Sequence, residues 1–356
     1  DDTGVSAKFR WLNRGKERVA IHLKDPAGQT AARRLAARAD VLVEGFRPGV
    51  MARLGLGYDA LAEMNPGLIY CSITGFGQTG PLRDVAGHDI NYLAWAGALS
   101  LAGGEEGPPQ VPGVQVADLG GGAWVAVTAI LAALRQRDRT GRGQHLDVAM
   151  VDGVMSWLSV HAADAWALGR SPRPGERMLG GDFACYRVYE TLDGRYLSVG
   201  AVENRFWRTL CQAVGLPQYA DVQYAPDPLR TEAIRAFEAV FRSRTRDDWC
   251  EALAGLDVCV APVLDVHEAL TSPHARARKA GDPDGRRFPV RWSGAEEEGS
   301  GGSVVAPADP LPSDGEGQGR PGAAWRIGSH TLRVLREAGF SEAEIQQLRE
   351  RGAIRT

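Results

Sequence analysis

Apolar runs of strand length alternate with helical patterns along the first 150 residues. Asp25 and Pro26 open an Ala-, Arg- and Leu-rich stretch that ends near Arg38, and they suit a helix N-cap and the first helical position. A second helical pattern covers residues 58–64. Because helices separate the apolar runs, the pattern predicts a parallel sheet with helices on its faces. The runs themselves cover residues 19–23, 41–43 and 68–73.

The pattern changes at the glycine run of residues 120–122. Residues 123–136 that follow are apolar on nearly every side and therefore predict a buried helix. Residues 281–324 are rich in Gly, Pro, Ser and Glu, and we expect an irregular connection there. Ser341 and Glu344 have the spacing of a capping box, which introduces a last helix to about residue 351. Further strands and helices are expected at residues 145–149, 196–200, 205–214 and 228–243.

Composition narrows the class of protein. The 356 residues suffice for about two domains of roughly 150 residues each. With 41 Lys and Arg against 44 Asp and Glu, the net charge of −3 argues against a dedicated nucleic-acid binder. The longest apolar stretch, residues 123–134, is too short to cross a bilayer and contains Thr128, so we expect no membrane span. Residues 1–20 have no signal-peptide pattern, and five cysteines without CxxC spacing predict free thiols in a cytoplasmic protein.

Several common catalytic motifs are missing from the sequence. It has no GxxxxGK[ST] phosphate loop, no HExxH zinc motif and no GxSxG nucleophile elbow. The glycines at 120–122 do not match GxGxxG, so nothing supports a nicotinamide cofactor. No metal site is predicted either.

Three titratable residues stand in contexts that suit acid–base chemistry, although each also has a structural explanation. His88 precedes an apolar helix and could cap a turn, lie in the core or act as a general base, since imidazole has an unperturbed pKa of about 6.5. Asp118 could be a helix N-cap or an active carboxyl, with the N–H groups of residues 118–121 as donors to a developing oxyanion. Glu203 follows a predicted strand and could simply be a solvated loop acid.

Together with their surroundings, these residues resemble the family III CoA-transferases, a group that includes carnitine and bile-acid CoA-transferases and the α-methylacyl-CoA racemases. Two of the longer matches are Ala39-Asp-Val-Leu-Val-Glu-Gly-Phe-Arg-Pro-Gly49 and Gly87-His-Asp-Ile-Asn-Tyr92. The resemblance covers nearly the whole chain and is weakest over residues 281–324. Other matching stretches are residues 13–16, 53–57, 75–81, 140–144 and 259–263.

The racemases are the more similar branch of this family. The resemblance implies that His88 and Asp118 are catalytic, that Glu44 supports the histidine and that Glu203 supports the aspartate. It implies an enzyme that inverts the α-carbon of 2-methyl-branched acyl-CoA thioesters by removing and returning a proton through an enolate. The transferases use the aspartate alone as a nucleophile. A CoA-transferase in which Asp118 forms an aspartyl-CoA intermediate is therefore the alternative.

The resemblance also implies that coenzyme A enters as part of the substrate and that no cofactor is tightly bound. Arg47 and Arg53 could make bidentate contacts with its phosphates, or they could belong to a solvated basic face. The implied coenzyme contacts are Ile21, His22, Leu23, Lys24, Gly45, Phe46, Arg47, Arg53, Gly87, Asp89, Ile90, Asn91 and Tyr92.

The implied fold is α/β, with a doubly wound Rossmann-like large domain over residues 1–185 and a smaller α+β domain over 186–285. A flexible linker over 286–324 would lead to a helical segment, 325–356, that returns to the large domain. Family members form interlocked homodimers, which we expect here, without nucleic-acid or membrane partners.

Two departures from the family pattern add an alternative. Residues 178–184 differ from the Met-Leu-Asp-Gly-Gly-Ala-Pro stretch of the racemases, so the substrate preference could differ. The family normally has a strand, a helix and a strand ahead of the position of Asp1, and that unit carries part of the coenzyme site. A truncated form that binds CoA without turnover is therefore a further alternative.

Overall fold

The structure is a computed structural model, and contacts divide the chain into two units, each drawn from separate stretches of sequence. Unit 1 comprises residues 1–74, 126–147 and 266–356, and unit 2 comprises residues 75–125 and 148–265. The predicted linker at 286–324 lies outside the described residues, and the predicted domain boundaries stay predictions. The structure describes residues 6–13, 15–103, 107–172, 176–278, 280 and 327–356.

Short strands and mostly short helices make up both units. The strands are β1 (Ala20–Ile21), β2 (Val41–Glu44), β3 (Ile69–Thr74), β4 (Gln144–Ala149), β5 (Tyr186–Glu190), β6 (Tyr196–Gly200), β7 (Val260–Pro262) and β8 (Ile354–Arg355). The helices are α1 (Ala7–Leu12), α2 (Pro26–Ala36), α3 (Val50–Arg53), α4 (Tyr58–Met64), α5 (Asp89–Ala96), α6 (Val125–Thr140), α7 (Met150–Trp157), α8 (Ser159–Leu168), α9 (Asn204–Ala213), α10 (Leu229–Phe241), α11 (Arg246–Ala252), α12 (Val266–Thr271), α13 (Pro273–Arg278), α14 (Thr331–Glu337) and α15 (Glu342–Glu350). Two 3₁₀ turns (Ala98–Leu101 and Pro217–Tyr219) and a π-helical segment (Val116–Trp124) complete the set.

The first sheet confirms the predicted α/β class. Its strands run in the order β2-β3-β4, and β2 and β3 are parallel with Val41 opposite Ile69. The side chain of Asp25 accepts the N–H of Ala27 at 2.8 Å, so the predicted cap opens α2. Leu61 of α4 and Leu68, directly before β3, are 1% and 0% exposed and belong to the core beside this sheet.

The C-terminal helices pack against the first helices of the same unit. Ser341 and Glu344 form the predicted capping box, in which the Glu344 carboxylate accepts the N–H of Ser341 at 2.7 Å. Buried Leu335 and Ile345 share a core cluster with Ala31 of α2, and β8 pairs antiparallel with β1. Residues at the two ends of the described chain therefore build one core.

Unit 2 contains the predicted smaller α+β arrangement. Its strands are antiparallel in the order β5-β6-β7. The core beside this sheet is aromatic: Trp207 and Phe237 stack with ring centroids 4.8 Å apart, and neither is exposed. Trp207 also donates its indole N–H to the carbonyl of Tyr219 at 2.9 Å, which satisfies its one polar group.

The glycine run is helical, which the sequence analysis did not predict. The π-helical segment Val116–Trp124 contains Gly120–122 and continues directly into α6. The prediction that the following helix is buried is wrong for the chain as it stands, because Val127 and Leu131 of α6 are 43% and 62% exposed. An apolar pattern on all sides predicts burial only if neighbouring elements cover every side.

The helical run over residues 116–140 is longer than the apolar stretch on which the prediction of no membrane span was based. By length and composition it could cross a bilayer, and 33% of its most apolar part is buried inside the chain. It is longer than expected because the glycines extend α6 rather than break it. A partly buried helix of a globular domain meets the same criterion, so the compartment stays a prediction.

The glycines allow the π-helical segment and α7 to touch backbone to backbone. A Cβ on Gly153 would lie 2.1 Å from the carbonyl oxygen of Gly121, and one on Gly121 would lie 2.6 Å from the carbonyl oxygen of Met150. A Cβ on Gly120 would collide with the ring of Trp157. Side chains larger than hydrogen would push the two helices apart.

Replacing Gly153 with alanine is expected to destabilise the protein by about 1–3 kcal/mol, because the clash is with backbone that cannot turn away. The direction of this change in the free energy of unfolding is informative, since alanine in a helix interior normally stabilises by about 0.5–1 kcal/mol relative to glycine. Denaturant unfolding measures the difference. The control is Gly113→Ala, because a Cβ there meets nothing within 4 Å. Equal stability of the two variants would contradict the close packing.

Candidate active site

His88 is held at the start of α5 by a well-defined helix N-terminus. Its backbone N–H donates to Oδ1 of Asn91 at 3.0 Å, and its carbonyl accepts the N–H of Asn91 at 2.8 Å. The side chain is exposed, so the core interpretation of His88 is wrong. The helix position therefore presents the imidazole to solvent.

Tyr92 fixes the loop that leads into α5. Its hydroxyl donates to the carbonyl of Gly87. Its ring lies where a Cβ on Gly75 or Gly87 would come within 2.2 or 2.7 Å of it. Only glycine permits this approach, which explains two glycines in the matched stretches without a role in ligand binding.

Asp118 lies within the π-helical segment and is not its N-cap, which is Gln115. The N-cap interpretation is therefore wrong. The backbone N–H of Asp118 donates to Oδ1 of Asp89 at 2.9 Å. The carboxyl of Asp118 still reaches solvent, while neighbouring protein removes part of its hydration.

The charges around Asp118 show which groups lie near it. Loss of hydration raises the pKa of Asp118 above its ordinary value, the charge of Asp89 raises it further, and the charge of His88 lowers it. Burial also raises the pKa of Tyr92, with added contributions from Asp118 and Asp89. The structure thus brings the two residues predicted to be catalytic, His88 and Asp118, into one cluster with Asp89 and Tyr92.

This cluster has the groups that proton transfer requires. An imidazole can accept a proton as a base and donate one as an acid. A carboxyl with a raised pKa keeps its proton closer to neutral pH than an ordinary aspartate and can therefore donate it. The arrangement places one group of each type beside the first turn of α5.

The predicted oxyanion donors need a correction. The N–H of Asp118 is used by Asp89, and the N–H of Leu119 donates to the carbonyl of Gln115 at 3.0 Å. Gly120 and Gly121 are buried. Within the part of the chain that the structure describes, the N–H groups of Asp89 and Ile90 in the first turn of α5 have no acceptor. Free donors are therefore beside His88 rather than beside Asp118.

Glu203 stands at the N-cap position of α9 with an exposed side chain that makes no capping hydrogen bond. Its charge contributes to the raised pKa of Cys259 and of Tyr224, after burial as the larger cause in both. Among the described residues, no hydrogen bond joins Glu203 to Asp118. Its predicted support of the aspartate stays a prediction.

Glu44 ends β2 in unit 1, whereas His88 belongs to unit 2. Its carboxylate accepts the N–H of Phe46 at 2.8 Å, which orders the turn after the strand. Burial raises the pKa of Cys71 to about 11, and the charge of Glu44 adds to that shift. The predicted support of the histidine by Glu44 stays a prediction.

The residues predicted to contact the coenzyme fall into two groups. In unit 1, Arg47 and Arg53 are exposed, and neither forms an ion pair with any residue that the structure describes. Phe46 beside them is 47% exposed. Residues 21–24 begin with the last residue of β1, and the N–H of His22 donates to the carbonyl of Ala353. The second group, residues 87–92, surrounds the start of α5 in unit 2.

The structure contains a buried ion pair, Arg177–Asp182, that the sequence did not predict. The side chains of Arg177 and Asp182 are 3% and 2% exposed, and two guanidinium N–H groups donate to the carboxylate at 2.8 and 2.9 Å. The same guanidinium donates to the carbonyls of Leu101 and Gly103. The pair thus holds the chain that follows α5. The sequence offers one hint of this ion pair: an arginine stands five residues before an aspartate, and the aspartate lies in the stretch that differs from the family pattern.

Replacing Arg177 with methionine is expected to destabilise the protein by about 3–5 kcal/mol, because it removes the cation that pairs with the buried Asp182 carboxylate. Denaturant unfolding measures the loss. Arg170→Met is the control, since Arg170 pairs with Glu176 at the surface, and it should have little effect. The double variant Arg177→Met, Asp182→Leu should recover much of the stability. No recovery would show that hydrogen bonds other than the ion pair carry the effect, namely those of Arg177 to the carbonyls of Leu101 and Gly103 and that of its backbone N–H to Asp182.

Comparison with known proteins adds independent information. A family model described as CoA-transferase family III matches residues 1–296. The alpha-methylacyl-CoA racemase of Mus musculus is 39% identical over 340 residues, which cover 95% of this chain and 85% of that protein. The acetyl-CoA:oxalate CoA-transferase of Acetobacter aceti is 36% identical over 304 residues, covering 82% of this chain and 77% of that protein. The crystal structure of a CAIB/BAIF family protein from Brucella suis, 30% identical, superposes with a TM-score of 0.74 over 94% of this chain and 84% of that chain.

Proposed function

This chain belongs to CoA-transferase family III, and on that premise we propose that it is an acyl-CoA racemase acting on 2-methyl-branched thioesters. The observation that carries the proposal is the cluster at the start of α5, in which His88 and Asp118 are close enough for the charge of one to shift the pKa of the other. A transferase that uses the aspartate alone has no need of that histidine.

The two groups divide the proton transfers between them. In one direction the imidazole of His88 removes the α-proton, and the electrons of the C–H bond move into the thioester carbonyl to give an enolate. The protonated carboxyl of Asp118 then returns a proton to the opposite face of the carbon. The reverse reaction exchanges the roles of base and acid. The raised pKa of Asp118 favours this use, because the carboxyl keeps its proton to a higher pH than an ordinary aspartate does.

The first turn of α5 supplies the groups that stabilise the enolate. The N–H groups of Asp89 and Ile90 have no acceptor within the described chain and stand next to His88. A helix N-terminus carries a partial positive charge, so developing negative charge on the thioester oxygen is favoured there. Glu203, which belongs to the same unit, would orient Asp118, as the family resemblance implies.

Coenzyme A would be held by basic residues on unit 1. The guanidinium groups of Arg47 and Arg53 are exposed and without carboxylate partners among the described residues, which suits them to phosphate. The coenzyme would enter and leave as part of the intact acyl-CoA thioester, so the protein would hold it only as part of the substrate.

A homodimer is part of the proposal. Unit 2 exposes large aromatic side chains that a soluble monomer usually covers: Trp95, Trp157 and Trp166 are 57%, 53% and 85% exposed. A second copy of the chain is the partner that the interlocked assembly of the family suggests.

The wild-type protein is expected to exchange the α-hydrogen of a 2-methylacyl-CoA for deuterium in heavy water without any acceptor acid. His88→Ala and Asp118→Asn should each slow this exchange by at least about 100-fold, because each removes one proton carrier. Mass spectrometry of the recovered thioester measures uptake. Asp138→Asn is the control, since Asp138 is exposed in the last turn of α6.

A CoA-transferase is the second candidate, and the 36% identity to an acetyl-CoA:oxalate CoA-transferase favours it. Here the Asp118 carboxylate would attack the thioester carbonyl and expel the CoA thiolate, which gives a mixed anhydride. The thiolate would then attack the Asp118 carbonyl of this anhydride and release the acyl group as a carboxylate, so that aspartyl-CoA remains. If the protein transfers CoA to an acceptor acid without exchanging the α-hydrogen, and His88→Ala still does so, the transferase would replace the racemase as the proposed function. CoA binding with neither reaction would identify a binding protein without turnover.

Replacing Arg47 with methionine should weaken CoA binding about tenfold or more, because a charge-assisted hydrogen bond to phosphate is lost. Titration calorimetry with CoA measures the dissociation constant. Arg83→Met is the control, because Arg83 is also exposed but lies outside the predicted coenzyme contacts. Equal binding by the two variants would remove Arg47 from the coenzyme site.

A further inference from the structure

Asp89 connects the two residues of the proton-transfer pair. It is the first residue of α5, directly after His88, and its Oδ1 accepts the backbone N–H of Asp118 at 2.9 Å. We propose that Asp89 is a positioning residue for the pair rather than a coenzyme contact: it ties the segment that carries Asp118 to the helix start that carries His88 and keeps a negative charge beside Asp118. The catalytic consequence of this role rests on the proposed function, whereas the contact itself does not.

The hydrogen bond satisfies a group that the π-helical segment leaves open. The first N–H groups of any helix lack partners within it, and a side chain or water must accept them. Gln115, which precedes the segment, makes no capping hydrogen bond with its side chain. Asp89 supplies that acceptor from a different helix. Because Asp118 itself donates the N–H, any movement of Asp89 is passed directly to the backbone of the catalytic residue.

The opposite end of the contact is equally constrained. Asp89 lies in the first turn of α5, where the helix N-terminus favours a negative charge. The hydroxyl of Tyr92, one turn later, donates to Gly87 and holds the loop before His88. The loop before α5 is therefore held in place. This limits how far the Asp89 carboxylate can move away from the N–H of Asp118.

The charge of Asp89 has a chemical effect as well as a structural one. Two carboxyl groups close together resist ionising at the same time, so a charged Asp89 favours the protonated form of Asp118. The charged and titratable groups that act on this site are His88, Asp89 and Tyr92, all from the start of α5. Asp152 of α7, the helix packed on the glycines of the segment, is exposed to solvent. His88 acts in the opposite direction to Asp89, so Asp89 offsets the effect of the imidazole.

Two substitutions separate the tether from the charge. Asp89→Asn keeps an oxygen that can accept the N–H of Asp118 but removes the charge, whereas Asp89→Ala removes both. Asp84→Asn is the matched control, because it removes a charge from the same loop at a side chain that is 83% exposed. All three variants can be compared with the wild type as the full chain.

The first measurement is the pKa of the Asp118 carboxyl. It is obtained from a pH titration by carbon NMR of protein with labelled aspartate, and the Asp118→Asn variant identifies the signal of Asp118. We expect Asp89→Asn to lower this pKa and Asp84→Asn to leave it unchanged. In the deuterium-exchange assay, the acid limb of the pH profile should move to lower pH in Asp89→Asn. In Asp89→Ala, kcat should fall by about tenfold to 100-fold because the carboxyl is displaced, while the dissociation constant for CoA stays within about twofold of the wild type.

The possible outcomes distinguish this inference from the proposed function. An unchanged Asp118 pKa in Asp89→Asn would overturn the inference, whether or not exchange occurs. A marked loss of CoA binding in Asp89→Asn with no change in that pKa would return Asp89 to the coenzyme contacts. A lowered Asp118 pKa in a protein that catalyses no α-exchange would support the inference and reject the racemase proposal. Because asparagine is nearly isosteric with aspartate, the test does not depend on whether Asp89→Ala folds.

Discussion

The contact between the π-helical segment and α7 is the constraint on which the site depends. Gly121 and Gly153 meet with their backbones so close that neither position has room for a Cβ. Asp118 lies three residues before Gly121, so the position of its carboxyl follows from where this contact places the segment. Room for a ligand, one explanation for glycines beside an active carboxyl, is not what the structure supports for Gly121. The space is filled by another helix.

The electrostatics of the cluster result from three effects that do not all act in one direction. Partial loss of hydration and a like charge at Asp89 both favour the neutral form of Asp118, whereas a protonated His88 favours the charged form. The first of these is the largest. A carboxyl in this position is therefore sensitive to anything that changes its exposure, including a bound acyl chain that displaces water from it. Substrate binding and proton affinity would be coupled at this site.

Exposed apolar surface is the main feature that a single chain leaves unexplained. Trp166 is 85% exposed, and Leu131 on α6 is 62% exposed. An apolar sequence pattern predicts only that these side chains are buried. It does not indicate whether they are buried within one chain or at an interface between two chains. The prediction of a buried α6 is wrong for the isolated chain for this reason, and a second copy of the chain would reconcile the pattern with the structure.

Local sequence determined the elements whose causes are local. The Asp25 cap and the capping box at Ser341 follow from side-chain chemistry within a few residues, and each was predicted. The parallel pairing of β2 with β3 joins more distant residues, but the alternation of strand and helix patterns along the chain predicted it. The motif around His88 was also visible because its residues are consecutive. Tertiary structure alone decided that Asp89 contacts Asp118, 29 residues away, that Arg177 reaches back to Leu101, and that the glycine run is helical. These outcomes depend on which distant backbone comes within hydrogen-bonding or van der Waals range, and neither composition nor periodicity carries that information.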